Sequence, residues 1–514
     1  MNILGALRNM CIVGGDDFIR ILCEQNIILP LKSLLYRNVI NLQNGKENDQ
    51  LIGCNLYLQL FSLLTIIFDY DMSGLFELES EGEQTIFSVM LFLLAFSPKG
   101  SNKLHSLAQQ MQSSVAEFIS VMGDQFVSNK AFTQEIRRRA SSLPWTVRFK
   151  IEGGFVNDSS LQEKMTILND ASQILEVATL PAQFQAFQAC YDEFKQLESS
   201  EKSDEKEEVI ADDEATQKMD TEALDGNSPD READVVTRSE EISRDLEAYL
   251  NVLDVITRIL SQDDANTSLL RLPTELVKRI EGVVGAVINQ LDALGTGSNS
   301  QVESLRQRLL AGALDATTAL LPYVDSNVFV TIWPLLQTHM TLGIEVTQAC
   351  IKGMWVWSQL ATQSTSFNDT LNPVCFADQI APTLQLLTMS SGEIVVQIVH
   401  TLSSLLSLTK PSDVNRGCLT EVCRQVVLSL DNPVNNSNAE ILGAVLDFMM
   451  TIFGNESYVP VFKELNVSNY VMNATSALQH SLSNAALDED CREYLQEILS
   501  NAIRFIDWIQ SGMK

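Results

Sequence analysis

Apolar residues along this chain recur every three or four positions, the spacing of one face of an α-helix. In the tail half this rhythm predicts helices near 275–293, 302–322, 326–338, 343–362, 376–388, 392–408, 415–430, 437–453, 459–481 and 488–510. Polar connectors such as DNPVNNSN (431–438) separate them. Taken in pairs they form units of roughly 40–50 residues, the period of HEAT and armadillo repeats. The front half has a three-helix rhythm, 2–12, then 16–25 with 28–38, then 48–69. Pro30, Pro181, Pro273 and Pro382 stand near helix starts, where a missing N–H costs nothing. No Asn-Gly hairpin lies between alternating runs. Many helices with short links predict an all-α fold, a right-handed α-solenoid in which each unit buries its face on the next. The alternative is an irregular helical bundle.

The rhythm breaks once. LESSEKSDEKEEVIADDEATQKMDTEALDGNSPDREADVVTRSEE (197–241) is hydrophilic and studded with carboxylates. Such a stretch buries too little apolar area to offset its ordering entropy and is expected to be disordered. Helix resumes near Thr237–Glu240, followed by the stripe Ile242, Leu246, Leu250, Leu253, Ile256 and Leu260. The expected domains are therefore armadillo-like repeats over 1–196, an acidic insertion over 197–238, and HEAT-like repeats over 239–514.

Charge narrows the partners. A formal net charge of −31 repels nucleic acid and anionic membrane and suits basic proteins. The nine cysteines lack paired spacing, so reduced thiols are expected, and Cys418 and Cys423 have no second pair to make a zinc site. LYLQLFSLLTIIF (56–68) is shorter than a membrane span and reads as a buried helix.

Catalytic chemistry finds no motif. His105, His339, His400 and His480 each sit in a helix-like run and read as structural. There is no phosphate-binding loop, nucleophile elbow or HExxH. The expectation is a non-enzyme without metal or cofactor, whose function lies in its surfaces. Trp355 and Trp357 stand two residues apart, so on a helix one can pack in the core while the other faces a concave binding surface. Trp145 is a third candidate, and for any one of them core packing is the competing reading. RRR at 137–139 reads as a solvated helix face or a nuclear signal. The acidic stretch reads as a solubilising tether or as a polyanion that neutralises a basic client.

GALRNMCIVGGDDFIRILCEQNIILPLKSLLYR (5–37) is similar to the joint between two armadillo units: a third helix ending ALRN, a glycine break, then two more helices. With the acidic interruption and the repeats that follow, it resembles the symportin family, and ITRILSQDD (256–264) and LQEILSNAIRFIDWIQ (495–510) are further echoes. The resemblance implies a chaperone and import adaptor for the two large-subunit ribosomal proteins that bind 5S ribosomal RNA, proteins five and eleven. It implies transport with a transportin-type karyopherin and shuttling between cytoplasm and nucleus. By the same resemblance Asn9 and Trp145 match groove residues of the family. Glu198, Glu201, Asp204, Glu205, Glu207, Glu208, Asp212, Asp213 and Glu214 fall in its acidic insertion. The 48–69 helix lacks the Trp-Asn pair of an armadillo ladder, and Thr146 follows Trp145 where the ladder has asparagine. The family's import signal and earlier helices would precede residue 1, so Leu4 and Leu7 are expected to leave an apolar patch at the end of the array. A generic HEAT scaffold or karyopherin-like carrier is the alternative.

Overall fold

The computed structural model describes residues 2–511 apart from 38, 71–79, 82–83, 124–129, 141–142, 158, 208–228, 262–269, 296–298, 364–382, 385–386, 388–391, 409–415, 455–457 and 485–488. Its regular structure is helical, apart from one short antiparallel hairpin pairing Ser80–Glu81 with Gln84–Thr85. Helices pack on helices one to three elements away in sequence, the pattern of an all-α solenoid. The chain divides into two compact units, Met1–Leu309 and Leu310–Lys514.

The first unit contains α1 (Asn2–Glu24), α2 (Ile28–Arg37), α3 (Val39–Asn44), α4 (Glu47–Tyr70), α5 (Ile86–Leu94), α6 (Asn102–Val121) and α7 (Lys130–Ala140). It continues through α8 (Trp145–Phe155), α9 (Leu161–Glu176), α10 (Leu180–Glu207), α11 (Pro229–Leu260) and α12 (Thr274–Ala293). The boundary falls inside α13 (Ser300–Leu320). A row of α1, α4, α6, α8 and α11 runs through this unit, each helix packed on the next. The other helices lie against the row.

Local chemistry sets the ends of these helices. Thr85 and Ser88 form a reciprocal capping box at α5, as do Ser160 and Glu163 at α9. α1 is two helical arms joined at Gly15, whose φ of 56° glycine adopts without strain, so the glycine break expected in this stretch is present. α4 centres the core. It is 24 residues long, Glu47–Tyr70, within a residue at each end of the helix expected at 48–69, and apolar enough to cross a membrane by length and composition, although the 56–68 run alone is too short. Here Tyr57, Phe61, Leu64 and Phe68 are fully buried within the protein, and Tyr57 Oη donates to Leu35 O at 2.8 Å.

Two expectations change. Leu4 is only 6% exposed and packs in the core with Cys11, while Leu7 packs partly buried against it. The first arm of α1 lies along α4 on that face, which turns Ile3 (73%) and Val13 (88%) outward instead. The acidic interruption is also shorter than 197–238. α10 continues helical to Glu207 and α11 begins at Pro229, leaving 208–228 outside the described residues. Glu and Lys are good helix formers, so each amphipathic helix extends past its last apolar anchor. α10 and α11 pack on each other and on α12 or α9, so the acidic stretch interrupts the first unit and does not separate the two.

The second unit holds α14 (Ser326–His339), α15 (Ile344–Gln363), α16 (Glu393–Leu408), α17 (Arg416–Leu428) and α18 (Pro433–Ser437). α19 (Ala439–Phe453), α20 (Val459–Glu464), α21 (Val467–Asn484) and α22 (Glu489–Gln510) complete it. Asp325 and Asn438 cap α14 and α19 through their carboxylate and amide oxygens. The run expected at 459–481 is two helices, because Asn466 takes a left-handed conformation (φ 52°) that Asn tolerates. The expected helix at 376–388 lies mostly outside the described residues. A second row, α15, α16, α19 and α22, runs through this unit.

Candidate partner-binding face

Glycines let the second row close up. A Cβ on Gly353 would come within 2.7 Å of Thr318 Oγ1 and 3.0 Å of Leu336, so α15 lies tight against α13 and α14. Gly443 does the same for α19 against α22, where a Cβ would fall 2.3 Å from Leu495 Cδ2. These crossings set what the row presents. Two residues beyond Gly353 is Trp355, and one turn beyond Gly443 is Asp447. Tyr494 sits beside Leu495.

Trp355, His400, Asp447 and Tyr494 lie on successive helices of the row at intervals of 45, 47 and 47 residues. The Trp355 and His400 rings approach to 6.5 Å between centroids, with 38% of Trp355 exposed. One turn on, Gln359 Nε2 donates to Ser404 Oγ at 2.9 Å, which keeps α15 and α16 in the same register. Burial pushes the His400 imidazole below its ordinary range, and Asp447 opposes that shift only partly. Burial raises the Asp447 carboxyl and His400 opposes it. Burial and the Asp447 charge both raise Tyr494. Beside this strip, Asp315, Glu345, Gln348, Lys352, Ile394 and Gln397 line a cavity of about 320 Å³, with Lys352 Nζ 3.6 Å from Asp315 Oδ1.

In the first unit several polar side chains along the row pair with one another. Ser62 and Ser114 hydroxyls bond at 3.0 Å between α4 and α6. Lys150 Nζ lies 3.3 Å from Glu117 Oε2, and Arg258 pairs with Asp254 at 2.8 Å. The three arginines at 137–139 are engaged within the unit. Arg138 and Arg139 share Glu135, while Arg137 donates to Phe155 O and Ser159 Oγ.

The predicted residues are thus distributed unevenly. Trp355 is on the second unit's exposed strip. Trp357 is not a groove residue: it is 4% exposed and packs on Trp333 at 4.9 Å, because two residues is about half a helical turn. Trp145 is half-buried at the start of α8, its ring 5.0 Å from Tyr249. Asn9 is exposed on α1 and accepts from Arg8. Glu198, Glu201, Asp204, Glu205 and Glu207 lie along α10, and Glu208, Asp212, Asp213 and Glu214 lie outside the described residues. His400, Asp447 and Tyr494 were missed. His105 and His339 do bond backbone carbonyls four residues back, as structural histidines do, but His400 stands on the strip. The recoverable signal was the repeated interval together with Asp447, the sole charge in ILGAVLDFMMTIF.

Two rows of packed helices bearing side-chain strips, with no cluster of metal-holding residues among the described residues, define a helical-repeat scaffold. The chain belongs to the SYO1-like family: the family model described as "SYO1-like, TPR repeats" matches residues 239–512, just over half of the sequence. This places it among helical-repeat proteins of ribosome biogenesis. No curated protein matches the chain. The 45–47-residue interval is longer than the roughly 34 of a TPR unit and nearer that of HEAT pairs.

Proposed function

We propose that this chain is a chaperone and nuclear import adaptor for the two basic large-subunit ribosomal proteins that bind 5S ribosomal RNA, proteins five and eleven. It takes an extended basic segment of one client along its helical rows and uses the acidic stretch around 208–228 to cover the other. It shuttles between cytoplasm and nucleus with a transportin-type karyopherin. It works by binding, without catalysis.

The observation that carries this reading is charge placed on a family scaffold. Within Leu310–Lys514 the sequence has 19 acidic and 8 basic side chains, and the second row carries the half-exposed Trp355 on α15 and Asp447 on α19. A protein that later binds RNA carries a cationic surface that attaches to any polyanion through counterion release. A strongly anionic scaffold competes for that surface and holds the client until its RNA is available.

Co-expression of the chain with each ribosomal protein, followed by pull-down at moderate salt, tests the reading. Retention of both clients, and improved solubility of each, is expected. Retention of neither overturns it, and consistent recovery of a different basic partner would assign the scaffold to that partner.

A further inference from the structure

Where α7, α8 and α9 meet, the first unit carries a cavity of about 240 Å³. Its walls are largely apolar: Ala140 from α7, Ile151 and Phe155 from α8 and Ile167 from α9 are all buried. The cationic groups on the walls are held by contacts within the unit. Arg137 Nη2 donates to Phe155 O at 3.0 Å and to Ser159 Oγ at 3.2 Å. Arg148 Nη2 donates to Asp170 Oδ2 at 2.8 Å, and its Nε donates to Glu152 Oε1 at 2.7 Å. The second oxygen of that carboxylate, Glu152 Oε2, is buried and meets no donor among the described residues. Buried acceptors are nearly always bonded, and leaving one unbonded is costly. Burial holds the Glu152 carboxyl above its ordinary range, which Arg148 offsets only in part.

We propose that this cavity binds a tyrosine side chain of a partner protein, the phenol hydroxyl donating to Glu152 Oε2 while the ring packs on Ile151, Phe155 and Ile167. The proposal does not depend on the partner being basic. An apolar cavity of about 150 Å³ holds a benzene ring, so 240 Å³ admits the ring together with its hydroxyl. That volume is also below the roughly 300–1,000 Å³ of a pocket for a whole small molecule. A phenol donates one hydrogen bond and accepts others, which suits a carboxylate flanked by guanidinium groups. An indole N–H only donates, and a phenylalanine ring offers Glu152 nothing. A lysine ammonium would enter beside two guanidinium groups and lose its hydration against apolar walls.

The test titrates the intact chain with N-acetyl-tyrosinamide, followed by saturation transfer in ligand-detected NMR, with the phenylalanine, tryptophan and lysine amides run beside it. The tyrosine amide is expected to bind about tenfold more tightly than the phenylalanine amide, the effect of one charge-assisted hydrogen bond. Thr166 is an exposed residue of α9 that lines the cavity, so Thr166→Trp fills the space from outside the core and is expected to abolish binding. Glu152→Gln keeps the shape and removes the charge. It is expected to bring the tyrosine amide within about twofold of the phenylalanine amide. Circular dichroism confirms that each variant is folded, and Thr166→Trp alone decides the matter if Glu152→Gln is not. Any other amide binding as tightly as the tyrosine amide overturns the assignment, as does binding of none of the four. So does tyrosine binding that survives Thr166→Trp, or a tyrosine preference unchanged in folded Glu152→Gln.

Discussion

Trp355 and Trp357 are two residues apart on one helix, yet one ring lies beside His400 at the surface and the other packs on Trp333 in the core. The same residue type therefore carries two separable contributions, recognition and stability. Trp357→Ala removes a ring that is 4% exposed and leaves a cavity, an expected loss of about 3–5 kcal/mol. Trp355→Ala is expected to change stability by less than about 1 kcal/mol, as for surface sites generally, while weakening capture of a basic client. Urea unfolding and pull-down of both variants check the pair. A stability loss at Trp355 equal to that at Trp357 would contradict the assignment.

Adjacent glycines give a second contrast. A Cβ on Gly154 would sit 2.7 Å from Ser120 Cα and 2.8 Å from Ser120 O, where α8 crosses α6 backbone to backbone. On Gly153 the nearest atom would be Val255 Cγ2, at an ordinary 3.5 Å. Gly154→Ala must push two helices apart and is expected to cost about 1–3 kcal/mol or more. Gly153→Ala fits the space and relieves the entropic cost of a helical glycine, so it is expected to stabilise by about 0.5–1 kcal/mol. Thermal midpoints of the two variants should move in opposite directions.

Most of the fold was legible because helix periodicity is local. The predicted tail helices 275–293, 326–338, 343–362 and 392–408 begin or end within a residue or two of α12, α14, α15 and α16. What periodicity does not carry is which side of a helix meets a neighbour. The sequence left Leu4 and Leu7 without a neighbour to pack on, and only the lie of α1 on α4 decided that Leu4 is inside and Val13 outside. Likewise His400 is one more polar residue in its own helix, and Asp447, though the sole charge in ILGAVLDFMMTIF, gains meaning only beside it. They become a site because α16 and α19 pack in register at a spacing that needs two repeats to be seen.

The acidic interruption can be cut without cutting the fold. α10 and α11 pack on each other, and Val235 on α11 is buried, so residues up to 207 and from 229 belong to the first unit. Deleting 208–228 and closing the gap with a short Gly-Ser linker is expected to leave the thermal midpoint within about 2 °C. It removes seven acidic side chains and is expected to reduce capture of one of the two clients and steepen the salt dependence of its aggregation. Deleting 198–236 also removes the buried Val235 and should destabilise the unit. Unchanged client capture after the shorter deletion would leave the segment as a tether.

His400 and Asp447 give pH profiles of opposite sign. Burial holds His400 below its ordinary value of 6.5, so the unfolded chain takes up a proton there more readily than the folded one. Stability is therefore lost as pH falls below about 6.5, and the loss levels off below the folded value. Asp447 is raised above its ordinary 3.8, so the folded chain holds its proton longer, and stability is lost as pH rises from about 4 through the folded value. Relative to the intact chain, H400Q is then expected to gain in thermal midpoint as pH is lowered from 7 to 5. D447N is expected to gain as pH is raised from 4 to 7, because it no longer holds a partly buried charge. That gain in D447N should come with weaker capture of a basic client, since the partly buried carboxylate is then no longer there for a cationic partner to neutralise. Midpoints of the three proteins across pH 4–8, read beside client pull-down at pH 7, test both halves. Parallel profiles for all three would show that neither group titrates out of its ordinary range.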